Sequence, residues 1–469
     1  MIGDLKPYAD YKDSGLPWLG QVPAHWRTVR NGSLFGQRSQ TGYAELPILE
    51  VSLKTGVQVR NFGQASRKQV MSDLGKYKRA VKGDLAYNTM RMWQGALGVC
   101  PVDGLVSPAY VVARPYPGVD ARYFAALFRT TGYMAEIDSA SRGIVKDRNR
   151  LYWDQFKQMQ SPCPPCVEQV AIVRFLDWVN RRLEGAIRAK RKVIALLTEQ
   201  KQAVVQRAVT CGLDPNVPVK PSGVSWIADI PQHWSLMPIK RACSLVRDGT
   251  HLPPVRTLTG FPLLSVRNLI AGRLARRPDD SFISKSDFDQ LNRSFVVRPG
   301  DVLMAIVGAT LGKVAIVEDI GPFQIQRSVA VLRPRPELVM NEYLAAFLRS
   351  PRLQQHLWQS VAFSAQPGIY LGFVANIPVP VPPTITEQRS ICDSLASELS
   401  PIDASIDRFE REIELIREYR IRLVADVVTG KLDVHAAAAR LPDGVATYIE
   451  AEPADEADDP ELTDEEAEA

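Results

Sequence analysis

Arginine, asparagine and glutamine gather in a few short stretches of this sequence, and these side chains can grip guanine or adenine edges through paired hydrogen bonds. "NTMRMWQG" sets Arg91, Trp93 and Gln94 together, and "SRGIVKDRNR" places Arg142, Lys146, Arg148, Asn149 and Arg150 in one loop. Further along, "VRDGTHLPP" holds Arg247, Asp248, Thr250 and His251 in a Gly-Pro turn. "SVRN" adds Arg267 and Asn268, "FQIQRS" adds Gln324, Gln326 and Arg327, and "FSAQPGIY" adds Gln366 and Tyr370. Lys and Arg also neutralise phosphate. The chemistry on offer is binding to a nucleic acid. Any one cluster alone reads as a solvated loop, and weight comes from their presence in both halves of the chain.

Catalytic patterns do not stand out. "GATLGK" at Gly308 resembles a phosphate loop, but it is one residue short between its glycines and lacks the following Ser or Thr. There is no nucleophile elbow, no His-Glu-x-x-His and no Asn-Pro-Pro-Tyr or Asp-Pro-Pro-Tyr. "CPPC" at Cys163–Cys166 has ligand-like spacing without the second pair that a zinc site needs. We therefore expect no catalytic residues, no metal and no cofactor in this chain.

Charge points the same way as the clusters. The 29 residues from Leu441 carry twelve Asp or Glu and no Lys or Arg. Setting those twelve aside from 52 acidic residues leaves 40 against 57 basic ones, a net +17. Such a body favours a polyanionic partner, and the acidic tail reads as disordered. No long apolar run suggests a membrane span or a signal core, so a cytoplasmic protein with no membrane partner is expected.

The elements that carry these residues come in duplicate. "SGLPWLGQVPAHW" at Ser14–Trp26 returns as "SGVSWIADIPQHW" at Ser222–Trp234. "VKGDLAYNTM" matches "RPGDVLMAIV", "YFAALFRT" matches "YLAAFLRS", and "PPCVEQVAIVRFL" parallels "PPTITEQRSICDSL". The offset drifts only from 208 at Ser14/Ser222 to 220 at Tyr123/Tyr343. Each copy opens with short β-rich runs and a helix near Tyr123 or Tyr343, then closes with a long helix, Glu168–Thr210 or Glu387–Thr429. Leu183, Ile187, Lys190, Ile194, Leu197, Lys201, Val204 and Ala208 follow a 4-3-4-3 spacing. Ile402, Ile406, Phe409, Ile413, Ile416, Arg420, Leu423 and Val427 repeat it. That is a coiled-coil seam. The reading is an α+β protein: two tandem mixed α/β domains, separated by two long helices that pair as an antiparallel coiled coil. Thr384 and Glu387 have capping-box spacing, Gly212 and Gly430 follow the last turns, and Pro401 predicts a bend or a 3₁₀ start. The recurrence of His25 as His233 points to a structural role for both.

Taken together, "SGLPWLGQVPAHW", "NTMRMWQGALGV", "VRDGTHLPP", "GDVLMAIVGATLGKVAIV" and "PVPVPPTITEQRSI" resemble the specificity subunit of type I restriction–modification enzymes, over residues 12–435. The resemblance implies a target-recognition domain at 1–165, a spacer helix at 166–212, a second recognition domain at 213–384 and a second helix at 385–432. Residues 433–469 form an acidic tail outside the pattern. It also implies a subunit without catalysis that assembles on double-stranded DNA with two methyltransferase subunits and with restriction subunits. Those partners use S-adenosylmethionine, ATP and magnesium. The candidate DNA contacts are then Arg91, Trp93, Gln94, Arg142, Lys146, Arg148, Arg247, Thr250, His251, Arg267, Asn268, Gln326, Arg327, Gln366 and Tyr370. The rival readings are a self-sufficient methyltransferase or nuclease whose motifs go unrecognised, and a coiled-coil adaptor between proteins whose basic charge is incidental.

Overall fold

The structure is a computed structural model. It describes residues 5–53, 55–60, 74–142, 149–227, 229–252, 254–361 and 367–442. The chain divides into two compact units, Met1–Ala189 with Glu412–Ala469, and Lys190–Arg411.

In the first unit four antiparallel strands, β1 (Phe35–Arg38), β2 (Leu85–Asn88), β3 (Leu97–Val99) and β4 (Tyr110–Pro115), lie in the spatial order β1-β4-β2-β3. In the second unit β5 (Cys243–Asp248), β6 (Val302–Ala305), β7 (Val314–Ile316) and β8 (Val329–Pro334) repeat that order as β5-β8-β6-β7. Two short strands, Leu269–Ile270 and Arg273–Leu274, extend the second sheet. The central strands β2 and β6 are buried along their whole length. Their side chains alternate between two cores, as period-two geometry requires: Val302 and Met304 on one side of the second sheet, Leu303 and Ala305 on the other. The repeated Gly-Asp pair starts each of them. Gly83 and Gly300 take positive φ, and the buried Asp84 and Asp301 accept from the backbone N–H of Val81 and Arg298. Arg38 and Arg333 neutralise these two carboxylates.

The recurring Trp, His, Glu and Gln close each unit onto its helix. Glu168, in the first turn of a 46-residue helix (Cys166–Cys211), accepts from Trp26 Nε1 at 2.8 Å, Tyr8 O–H at 2.6 Å and His25 Nε2 at 2.8 Å. In the 44-residue helix Ile385–Val428, Glu387 accepts from Trp234 Nε1 at 2.8 Å and His233 Nε2 at 3.1 Å. The glutamines that follow repeat one pattern. Gln169 accepts from the N–H of Asp120 and donates to Pro164 O, and Gln388 accepts from the N–H of Met340 and donates to Leu338 O. Trp26 and Trp234 are fully buried. At roughly 200 Å² and about 25 cal/mol per Å², each indole contributes on the order of 5 kcal/mol of transfer energy. His25 and His233 are thus structural in both copies.

Each unit also receives the far end of the other helix. In the first unit Tyr123, on helix Ala121–Phe128, donates its O–H to Val428 O at 2.9 Å, and Gly430 follows with φ 77. In the second, Tyr343, on helix Asn341–Leu348, donates its O–H to Pro380 O at 2.7 Å with Val209 O 3.3 Å away, and Gly212 has φ 74. The long helices pair antiparallel within both units. In the first, Val173, Leu176 and Val179 share a core with Leu423 and Val427, and Arg420 lies 3.5 Å from Glu184. In the second, Ala208 and Val209 share a core with Ile391 and Leu395, Lys190 sits 5.2 Å from the Phe409 ring, and Lys201 pairs with Asp403. Every position of both predicted seams is buried or half-buried.

Three expectations are corrected. No 3₁₀ start forms at Pro401: the helix stays α-helical through it. Proline removes one helix hydrogen bond, and Leu395 and Ile402, buried on either side, hold the segment in place. Thr384 Oγ1 accepts from the N–H of Glu387, yet the Glu387 carboxylate turns to Trp234, so only half of the capping box forms. The tail begins later than residue 433. Asp433 bridges Lys6, and helix His435–Ala439 buries Ala437 and Ala438 beside Val434 and Leu441. No helix among the described residues is long and apolar enough to cross a membrane.

Candidate nucleic-acid interface

One end of each sheet collects the predicted binding residues. In the first unit β2 ends at Asn88, whose side-chain oxygen accepts from the N–H of Met90 and so starts a tight turn. The turn Met92–Gln94 ends at Gly95 with φ 93. Trp93 donates its indole N–H to Met90 O at 3.0 Å and rests half-buried on the core, buttressing the turn. Arg91 is half-exposed, Gln94 is exposed, and Arg91 makes no ion pair among the described residues. From behind, Arg129 donates to Gly95 O and Leu97 O. Its guanidinium is buried without a carboxylate, which lowers its pKa. Alongside runs the segment Arg150–Leu151: the N–H of Leu151 donates to Thr89 O, and Arg142 and Arg150 exchange backbone hydrogen bonds. The exposed Arg142 is thereby brought next to the Arg91 turn. Lys146 and Arg148 lie outside the described residues.

The second unit builds the same sheet end from different letters. β5 runs out at Asp248, and the N–H of Thr250 donates to Ile325 O while that of Arg327 donates to Thr250 O, both at 3.2 Å. Ile306, just past β6, donates its N–H to Ser328 O and accepts from that of Ile369. Four segments therefore lie side by side, bringing together Arg247, Thr250, His251, Gln326, Arg327 and Tyr370. Arg247 and Arg327 are exposed, and neither makes an ion pair among the described residues. His251 is held 2.8 Å from Asp248. Gln366 lies outside the described residues.

Arg267 and Asn268 depart from this picture. Asn268 is fully buried: its side chain donates to Ala275 O and Asp280 Oδ1 and accepts from the N–H of Ser265. It holds a loop closed and is withdrawn from the contact set. Arg267 is exposed but pairs with Asp279 at 2.8 Å, so its charge is already answered. Gln324 is likewise committed internally, donating to Asn292 Oδ1 and Phe295 O. "SVRN" and "FQIQRS" carry no sign of which amides face inward, because burial there depends on partners dozens of residues away.

The family model for the type I restriction modification DNA specificity domain matches residues 274–415. Over 313 residues the chain is 26% identical to the type I restriction enzyme EcoBI specificity subunit of Escherichia coli, covering 63% of this chain and 64% of that protein. Over these stretches the chain is similar to specificity subunits of type I restriction–modification enzymes. A second relative, the EcoKI specificity subunit of Escherichia coli strain K12, is 24% identical over 212 residues, 43% of this chain and 44% of that protein. The chain thus aligns with less than two thirds of the length of either subunit. A chain from a solved structure concerned with complex assembly and conformational transition of the type I R-M system superposes with a TM-score of 0.64 at 18% identity. That match covers 88% of this chain and 99% of the other, and it bears on the fold.

Proposed function

We propose that this chain is the non-catalytic DNA-recognition subunit of a type I restriction–modification complex. It reads an asymmetric, bipartite duplex target, one half-site per unit. The observation that carries this reading is the duplicated sheet end. The architecture is the same in both units, while the outward side chains differ: Arg91, Gln94 and Arg142 in one, Arg247, His251, Gln326 and Arg327 in the other. Equal frames with unequal readers fit a target whose halves differ in sequence. The framework shared by both copies suits two equivalent methyltransferase partners, which would bring S-adenosylmethionine and extrude the adenine to be modified. Restriction subunits would bring ATP and magnesium. The paired helices set the number of unread base pairs between half-sites.

The test lengthens both long helices by one heptad at facing positions and maps modified adenines across the host genome. Seven residues add about 10.5 Å, close to three base-pair steps of roughly 3.4 Å. The expected result is a spacer about three base pairs longer with the letters of both half-sites unchanged. An unchanged spacer, or altered letters at the old spacing, would refute the reading.

A further inference from the structure

Tyr152 and Tyr370 hold the same place in the two units. The N–H of the preceding residue, Leu151 or Ile369, donates at 2.9 Å to the carbonyl of the residue just past the central strand, Thr89 or Ile306. Each tyrosine then opens a short helix, Trp153–Phe156 or Leu371–Asn376, with similar backbone angles (φ −83, ψ 164 and φ −80, ψ 148). Its carbonyl accepts from that helix, from Phe156 N–H at 3.0 Å and from Val374 N–H at 3.2 Å. The backbone is pinned at both points. The side chains stand outward, 47% and 84% exposed, and neither phenol forms a hydrogen bond among the described residues.

The letters around them differ, "RNRLYWDQF" against "QPGIYLGFV". Loops that read different half-sites should differ in this way. A side chain kept identical between them should meet what the half-sites have in common, and dissimilar half-sites share the sugar–phosphate chain. Tyrosine suits that surface: its ring packs on deoxyribose and its O–H donates to a phosphate oxygen. We propose that Tyr152 and Tyr370 are equivalent, sequence-independent clamps on the DNA backbone, one per half-site. This assignment rests on the DNA-recognition reading above.

The test uses the full chain assembled with its methyltransferase partner and compares wild type with Tyr152→Phe and Tyr370→Phe. Phenylalanine removes only the O–H, so each variant should bind roughly tenfold more weakly, as for loss of a hydrogen bond to an ionised group. The loss should be alike for both variants. It should also be alike on the specific duplex and on duplexes with one scrambled half-site. A neutral donor releases no counterion, so the salt slope should stay that of wild type. Because both side chains are exposed, melting midpoints should not move. The assignment is overturned by full affinity in both Phe variants, by weakening confined to one base position, or by a lowered midpoint. Measuring wild type alongside separates two failures. If it discriminates no duplex, the recognition reading falls and this falls with it; if it discriminates normally and the Phe variants match it, only the tyrosine assignment falls.

Discussion

Glu168→Ala should destabilise the folded chain by about 4 kcal/mol, whereas Glu387→Ala should cost about 1–2 kcal/mol. The two glutamates are counterparts in the duplication, yet their surroundings differ. The Glu168 side chain is 2% exposed and takes three donors, Trp26 Nε1, Tyr8 O–H and His25 Nε2. Removing it strands an indole N–H and a phenol O–H where little water reaches, each worth about 1–3 kcal/mol. The Glu387 side chain is 31% exposed, and among the described residues its donors are Trp234 and His233. The residue 208 positions after Tyr8 is Asn216, which is exposed and supplies no phenol. Water can therefore replace part of what Glu387→Ala removes. Against a total stability of roughly 5–15 kcal/mol, the first loss is severe. Urea denaturation of the two single variants decides the matter: equal losses would mean that the tyrosine contact contributes nothing.

This asymmetry marks where the sequence stops being informative. The duplication, the long helices and the seam were legible because each is a pattern of residue types at fixed spacing: two tryptophans in register, or apolar residues at 4-3-4-3. The purpose of Pro-x-His-Trp and of the glutamate that answers it was not legible, because these partners stand more than 140 residues apart and only folding joins them. The candidate site divides along the same line. Arg91, Arg247, Gln326 and Arg327 were found because their loops are polar and local. Asn268 was misjudged because its burial depends on Asp280 and Ala275, which a short motif does not include. Tyr152 escaped notice because a lone tyrosine between "RNRL" and "WDQF" has no local signature. Only the equivalence of the two sheet ends reveals it.

A glycine that contacts no ligand should matter as much as any reader. Gly249→Ala should weaken binding at the half-site read by the second unit by about 3 kcal/mol, roughly a hundredfold, while leaving the other half-site's letters intact. Its N–H donates to Val329 O, and a Cβ there would stand 2.2 Å from Ile325 O and 2.4 Å from the carbonyl of Gln326. These are backbone atoms of a neighbouring strand, which cannot turn aside as a flexible side chain would. The end of β5 must lift, and with it go the hydrogen bonds from Thr250 N–H to Ile325 O and from Arg327 N–H to Thr250 O. Those bonds help to place His251 beside Gln326 and Arg327. Two base contacts displaced at about 1–3 kcal/mol each give the expected loss. Gly372→Ala is the control: Gly372 lies in helix Leu371–Asn376 with no atom within 4 Å of the added carbon, so alanine should be neutral or slightly stabilising. Competition binding against duplexes with either half-site scrambled provides the measurement. If Gly249→Ala bound both half-sites as wild type does, the juxtaposition of Thr250 with Gln326 would have no part in recognition, and the readers of the second unit would have to be sought elsewhere on its surface.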